Sequence, residues 1–174
     1  MSINVPTGFI LSKNTPLIHS SQNSHVYQGT FGNKEAILKM YPFQYPSEYV
    51  QISYQQDHHV GSLLYDSYPG SFSEPLEFVH EPNKLYLIKR YEGTSLSHHL
   101  EESGKMNVDQ FLTTAIEICQ NLHLIHEQNI VHCDIKPQNI LHNDKMDKTI
   151  IIDFESSFIV SLKNSTVPKA QRGL

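Results

Sequence analysis

A chain of 174 residues with 39% hydrophobic content can bury one ordinary core but hardly two, so one domain, with room for two lobes, is expected. Its 13 Lys+Arg against 18 Asp+Glu leave a net charge of -5 with no basic run, which argues against nucleic acid or anionic membrane as a partner. No stretch has the length and apolarity of a signal peptide or a membrane span, so a cytoplasmic location is expected, with Cys119 and Cys133 as reduced thiols.

Residues 26–31 and 35–41 are strand-like and flank Gly32-Asn33, a pair suited to positive φ, so they read as a hairpin. Scattered apolar residues over 47–64 fit a helix. Residues 85–88, Leu-Tyr-Leu-Ile, form a short buried strand that runs into a connector at Glu92-Gly93-Thr94. The next segment is a helix from Val108 to about His126, because Val108, Phe111, Leu112, Ala115, Ile116, Cys119 and Leu122 recur at spacings of three and four. Asn107 with Gln110 three residues later makes a capping box at its start, and Asn129 suits a left-handed stop at its end. Two further apolar runs, 139–142 and 149–154, flank Asn143-Asp144-Lys145 as a second small hairpin.

The chemistry sits at the ends of that hairpin. His132-Cys133-Asp134-Ile135-Lys136-Pro137-Gln138-Asn139 leads into the first strand, and Asp153-Phe154 leaves the second, 14 residues after Asn139. One turn thereby carries a carboxylate and an amide, and the neighbouring strand end a second carboxylate, a set of oxygen donors that suits a hard cation. The two strings and their spacing resemble the catalytic loop and metal-binding segment of eukaryotic-type protein kinases.

The resemblance implies an α+β, two-lobed fold: an antiparallel sheet plus one helix over residues 1–88, then a connector and a partial helical lobe over 89–174. It implies ATP and Mg²⁺ between the lobes and a protein substrate. Asp134 would orient or deprotonate the substrate hydroxyl, Lys136 would contact the γ-phosphate, and Asn139 and Asp153 would hold the metal. Lys136, two places after Asp134, is similar to the Ser/Thr-kinase pattern. His132 is expected to brace the loop. Upstream, Lys39 resembles the strand lysine that pins the α- and β-phosphates, with Val26 roofing the adenine and Asp57 as the helix carboxylate paired with Lys39. The backbone of Lys89, Arg90 and Tyr91 would meet the adenine edge.

Several positions depart from the family pattern. Counting back from Val26, the three phosphate-loop glycines are replaced by His19, Ser21 and Ser24. Ser and Asn side chains there would have to stand in for the missing backbone donors. Glu155 stands where glycine follows Asp-Phe, and the bulkier Ile37 where alanine faces adenine. The glycine-poor string 18–29 resembles kinase domains at the N-terminus of large multidomain sensor proteins, which implies further signalling domains in a longer chain. The sequence ends 19 residues after Glu155, so the helical lobe is expected to be incomplete and the 108–126 helix to lack part of its packing. Ser156, Ser157, Ser161, Ser165 and Thr166 form a polar stretch that phosphorylation could address. The alternative to an active Ser/Thr kinase is a weak or inactive kinase-fold module that binds nucleotide or a partner protein.

Overall fold

The computed structural model describes residues 5–14, 17–81, 84–143 and 148–160. Its first half is an antiparallel sheet built from β1 (Phe9–Leu11), β2 (Leu17–Ser20), β3 (His25–Phe31), β4 (Lys34–Met40), β5 (Pro75–Glu81) and β6 (Lys84–Arg90). The strand order is β1-β3-β4-β6-β5, with β2 also pairing along β3. Gly32, at φ 58°, turns β3 back onto β4. The helix α1 (Glu48–Ser67) starts on the Ser47 cap, whose side chain accepts from the Val50 amide, and packs on the sheet.

Side-chain alternation explains the two faces of the sheet. Ala36 and Leu38 of β4 join Tyr86 and Ile88 of β6, Tyr27 and Phe9 in one cluster. Leu85 and Leu87 face the other way and pack on Val50 and Tyr54 of α1. The C-terminal part of α1 enters a third cluster, in which Val60 and Leu64 meet Phe72, Ile125, Ile130, Ile151 and Phe154. A single helix therefore contributes to the packing of both halves of the chain.

Beyond the sheet lie β7 (Thr94–Ser95), α2 (Leu96–Ser103), α3 (Val108–Glu127), β8 (Ile130–Val131), a 3-10 turn at Pro137–Asn139, β9 (Ile140–Asn143), β10 (Lys148–Ile151) and β11 (Phe158–Ile159). The small hairpin is β9–β10, with β7 added to its edge, and β8 pairs with β11. An antiparallel sheet with one helix, followed by helices and short hairpins, is the α+β arrangement expected of an incomplete kinase-like fold.

The sequence reading and the structure part at three places. The β6 strand runs through Arg90, two residues past the end read for it at Ile88. Seven elements, β1, β2, β5, β7, β8, β11 and α2, carry too little local pattern to be read from sequence. The third difference concerns α3. Its capping box is formed by Asn107 and Gln110, and Asn129 takes φ 56° after its last turn. Yet the stripe that is buried runs through Thr114, Asn121 and Ile125, with Ile118 and Leu122 against the core. Asn121 Nδ2 donates to the Thr149 carbonyl at 3.1 Å and ties the helix to β10. The apolar face read from periodicity stays largely open, with Val108, Phe111, Leu112 and Ile116 between 51% and 72% exposed. The buried stripe mixes polar Thr114 and Asn121 with Ile118, Leu122 and Ile125, so apolar spacing alone does not single it out.

Gly93 fixes how the connector meets β9. It lies at φ 125°, and a Cβ there would collide with the His142 carbonyl. Gly93→Ala is expected to cost more than ~1 kcal/mol, since it forces both a disfavoured φ and a backbone shift. A lowered urea midpoint with unchanged slope is the expected reading.

Candidate active site

The site forms where β4, α1 and the end of β10 converge. In the sheet register Lys39 lies opposite Val26 on one side and Leu87 on the other, so these side chains share the face that looks toward α1. The buried stripe of α1 runs Val50, Tyr54, Asp57, Val60, Gly61 and Leu64. Asp57 is thus a carboxylate in the middle of an apolar stripe, 1% exposed. Such a group must be paired to remain an ion.

Its partners come from three elements. Oδ1 accepts from Lys89 Nζ at 2.7 Å and from the Phe154 amide at 3.0 Å, while Oδ2 lies 3.5 Å from Lys39 Nζ. Lys39 in turn sits 2.9 Å from Asp153 Oδ1 and 2.9 Å from Glu155 Oε1. Its ammonium also lies 5.7 Å from the centre of the Tyr54 ring, within cation–π range. Burial alone would raise the Asp57 carboxyl, but the ammonium groups of Lys89 and Lys39 outweigh it and hold the acid well below its usual range. For Lys39 burial works toward deprotonation, and the carboxylates of Asp57, Asp153 and Glu155 override it, raising the amine well above normal.

The loop from His132 to Asn139 is assembled by local hydrogen bonds. Cys133 and Asp153 both take positive φ, at 63° and 68°, so the two turns that carry the carboxylates are tightly bent. The buried His132 accepts the Asp134 amide on Nδ1 at 3.3 Å and therefore carries its hydrogen on Nε2, which donates to the Ile152 carbonyl at 3.0 Å. This links the loop to the strand end that bears Asp153. The Asp134 carboxylate accepts from Lys136 Nζ at 2.6 Å and from Asn139 Nδ2 at 2.9 Å. The Lys136 hydrogen bond is the main reason its acid lies below the ordinary value. Asn139 Nδ2 also donates to the Asp134 carbonyl, and the Ile152 amide donates to the Asn139 carbonyl at 2.9 Å. Phe154 is buried against Phe72 and His132, with ring centres 6.3 and 5.1 Å away, which turns Asp153 outward toward Lys39.

The oxygen donors of Asp153, Asn139 and Glu155 suit a hard divalent cation such as Mg²⁺. The carboxylates around Lys39 also outnumber the two lysines, so the cluster carries an uncompensated negative charge before any cation arrives.

The Lys89 side chain turns into the molecule and takes the nearer oxygen of Asp57. The amides of Arg90 and Tyr91 donate to the carbonyls of Glu74 and Glu35, at 2.9 and 3.0 Å, so these two donors are engaged within the fold. The turn between β2 and β3 is likewise closed on itself. The Ser21 hydroxyl accepts from the Asn23 and Ser24 amides, and Tyr54 Oη donates to the Asn23 carbonyl, tying the turn to α1. The serine side chain that was to replace missing donors consumes two of them. Of the candidate phosphorylation sites, Ser157 is buried and its hydroxyl donates to the Phe154 carbonyl. Ser161, Ser165 and Thr166 lie outside the described residues. Sequence reasoning missed Lys89 as a side-chain partner. A lysine closing a strand of buried residues was the available signal.

The sequence model described as the protein kinase domain matches residues 73–172, more than half of the chain. The chain belongs to the protein kinase domain family. Among its relatives is Serine/threonine-protein kinase B of Synechocystis sp., 34% identical over 83 residues, covering 45% of this chain and 14% of that protein. Serine/threonine-protein kinase PknA of Nostoc sp. is 24% identical over 126 residues, 70% of this chain and 22% of that one. MAP kinase-interacting serine/threonine-protein kinase 1 of Xenopus tropicalis is 29% identical over 98 residues, 55% of this chain and 24% of that one. The chain thus spans between 14% and 24% of the length of these three kinases.

The depressed acid of Asp57 makes kinase-domain stability depend on pH. A carboxyl whose folded value lies below its ordinary 3.8 adds stability above that pH, and the contribution is lost as pH falls through the folded value. Urea midpoints measured between about pH 6 and pH 3 should fall with pH. Lys89→Met should make the fall shallower, because it removes the nearest cation from Asp57.

Proposed function

We propose that the chain is a Ser/Thr-type protein kinase domain that transfers the γ-phosphate of ATP to a protein hydroxyl with Mg²⁺. The observation that carries this reading is the joint placement of two carboxylates. Asp134 is held by Lys136 and Asn139 on one turn, and Asp153 on the adjoining strand end is directed at Lys39. The serine/threonine kinases to which the chain is similar support the same class.

In this reading the Asp134 carboxylate, ionised at neutral pH, receives the proton of the attacking hydroxyl and orients its oxygen. Lys136 stands beside it and balances charge on the transferred phosphoryl group. Asp153 and Asn139 hold Mg²⁺ through oxygen, with Lys39 placing the α- and β-phosphates. When bound, the cation supplies neutralisation of the phosphate charge. Val26, opposite Lys39 in the register, roofs the base, whose edge meets the chain where it leaves the sheet after Arg90. No described helix is long and apolar enough to cross a membrane. A cytoplasmic setting and further signalling domains belong to the same proposal.

The closed β2–β3 turn favours a second reading, a kinase-fold module that binds nucleotide or a partner protein without turnover. A single set of variants separates the two. For the enzyme, Asp134→Asn should lower phosphate transfer to a Ser/Thr peptide library by ~10²–10⁴-fold while nucleotide affinity persists. Asp153→Asn should remove the metal-dependent part of nucleotide binding measured by calorimetry. Nucleotide binding with no transfer from the unaltered chain would favour the module.

A further inference from the structure

The ammonium of Lys39 has three N–H donors, and three carboxylates surround it: Asp57 at 3.5 Å, Asp153 at 2.9 Å and Glu155 at 2.9 Å. An incoming phosphate can reach the lysine only if one of them yields. Asp57 is fixed by Lys89 and by the Phe154 amide. Asp153 is set by the positive φ of its own turn and by the burial of Phe154 next to it. Glu155 has neither constraint. It lies on the turn after Phe154 without the positive φ of Asp153, and its ion pair with Lys39 is the one it makes among the described residues, at an exposure like that of Asp153, 29% against 28%. It is one methylene longer than Asp153 and so freer to swing away from the lysine.

Charge gives the same answer. Lys39 and Lys89 carry two positive charges against three on Asp57, Asp153 and Glu155, so a phosphate approaching Lys39 meets a net negative cluster at short range. Neutralising Glu155 balances the cluster and releases one donor of the lysine together.

We propose that Glu155 is an internal competitor for nucleotide phosphate at Lys39, which makes phosphate binding conditional on a divalent cation. The inference rests on the nucleotide-binding reading above. Glu155 occupies the phosphate-directed donor of Lys39 in the resting state and leaves it when the carboxylates gain a cation to face. A neutral side chain at 155 uncouples the lysine from that requirement.

The test is calorimetric titration of ATP into the unaltered chain, Glu155→Gln and Glu155→Gly, each with EDTA and with excess Mg²⁺. The two variants should bind ATP in EDTA at least ~10-fold more tightly than the unaltered chain, about 1.4 kcal/mol, with the gap narrowing in Mg²⁺. Adding Lys39→Met to Glu155→Gln should abolish the gain, which shows that it passes through the lysine. Thermal melts of each variant report folding separately. Metal-free affinity equal to or below that of the unaltered chain, in folded variants, overturns the proposal, as does a gain that survives Lys39→Met. The unaltered chain in Mg²⁺ is the independent arm: if it binds no ATP, the nucleotide reading falls and the competitor role falls with it. If it binds while the EDTA arms are unchanged, only the competitor role fails.

Discussion

Asp57 is taken almost wholly from water, and a carboxylate in that position stays ionised only where cations and N–H donors enclose it. The enclosure recruits β4 through Lys39, β6 through Lys89, and the segment after β10 through the Phe154 amide. Three segments distant in sequence are thereby held against one turn of α1. Burying the same stripe of α1 with an aliphatic residue at 57 would still pack the helix on the sheet, but Lys39, Lys89 and the Phe154 amide would lose the one acceptor they share. The ion is an expensive way to pack and an effective way to position.

The rest of the site follows from that anchor. Phe154 cannot leave its pocket between Phe72 and His132 without breaking its amide's bond to Asp57, so Asp153 is kept facing Lys39. His132 spans from the 132–139 loop to the Ile152 carbonyl, which carries the position of Asp153 over to Asp134. The unusual feature is the diversion of Asp57. Lys89 takes its nearer oxygen, and the other is left 3.5 Å from Lys39. Glu155, which departs from the family pattern, lies 2.9 Å from the same ammonium.

Legibility in the sequence tracked the range of the interaction involved. The loop 132–139, the Asp-Phe pair and the α3 capping box are contiguous strings whose chemistry depends on neighbours a few residues away, and they were readable as such. The pairing of Lys39 with Asp57 could be anticipated only through the family resemblance, since 18 positions separate the two. Local pattern says nothing of the Lys89 side chain, which is placed by a helix residue 32 positions earlier. The closed β2–β3 turn depends on Tyr54 reaching back to Asn23, a contact no local pattern encodes. In α3 the buried stripe includes polar Thr114 and Asn121, and the choice of face is made by β10 and the core, outside the helix's own sequence.

The central claim is that Asp57 and Lys89 act as one unit, and a double-mutant cycle on unfolding free energy addresses it most directly. Asp57→Asn alone leaves Lys89 buried without its carboxylate and should cost ~3–5 kcal/mol. Adding Lys89→Met removes the stranded charge, so the double variant should be more stable than Asp57→Asn alone. Costs that simply add within about 0.5 kcal/mol would show that the two residues do not depend on each other and would contradict the account.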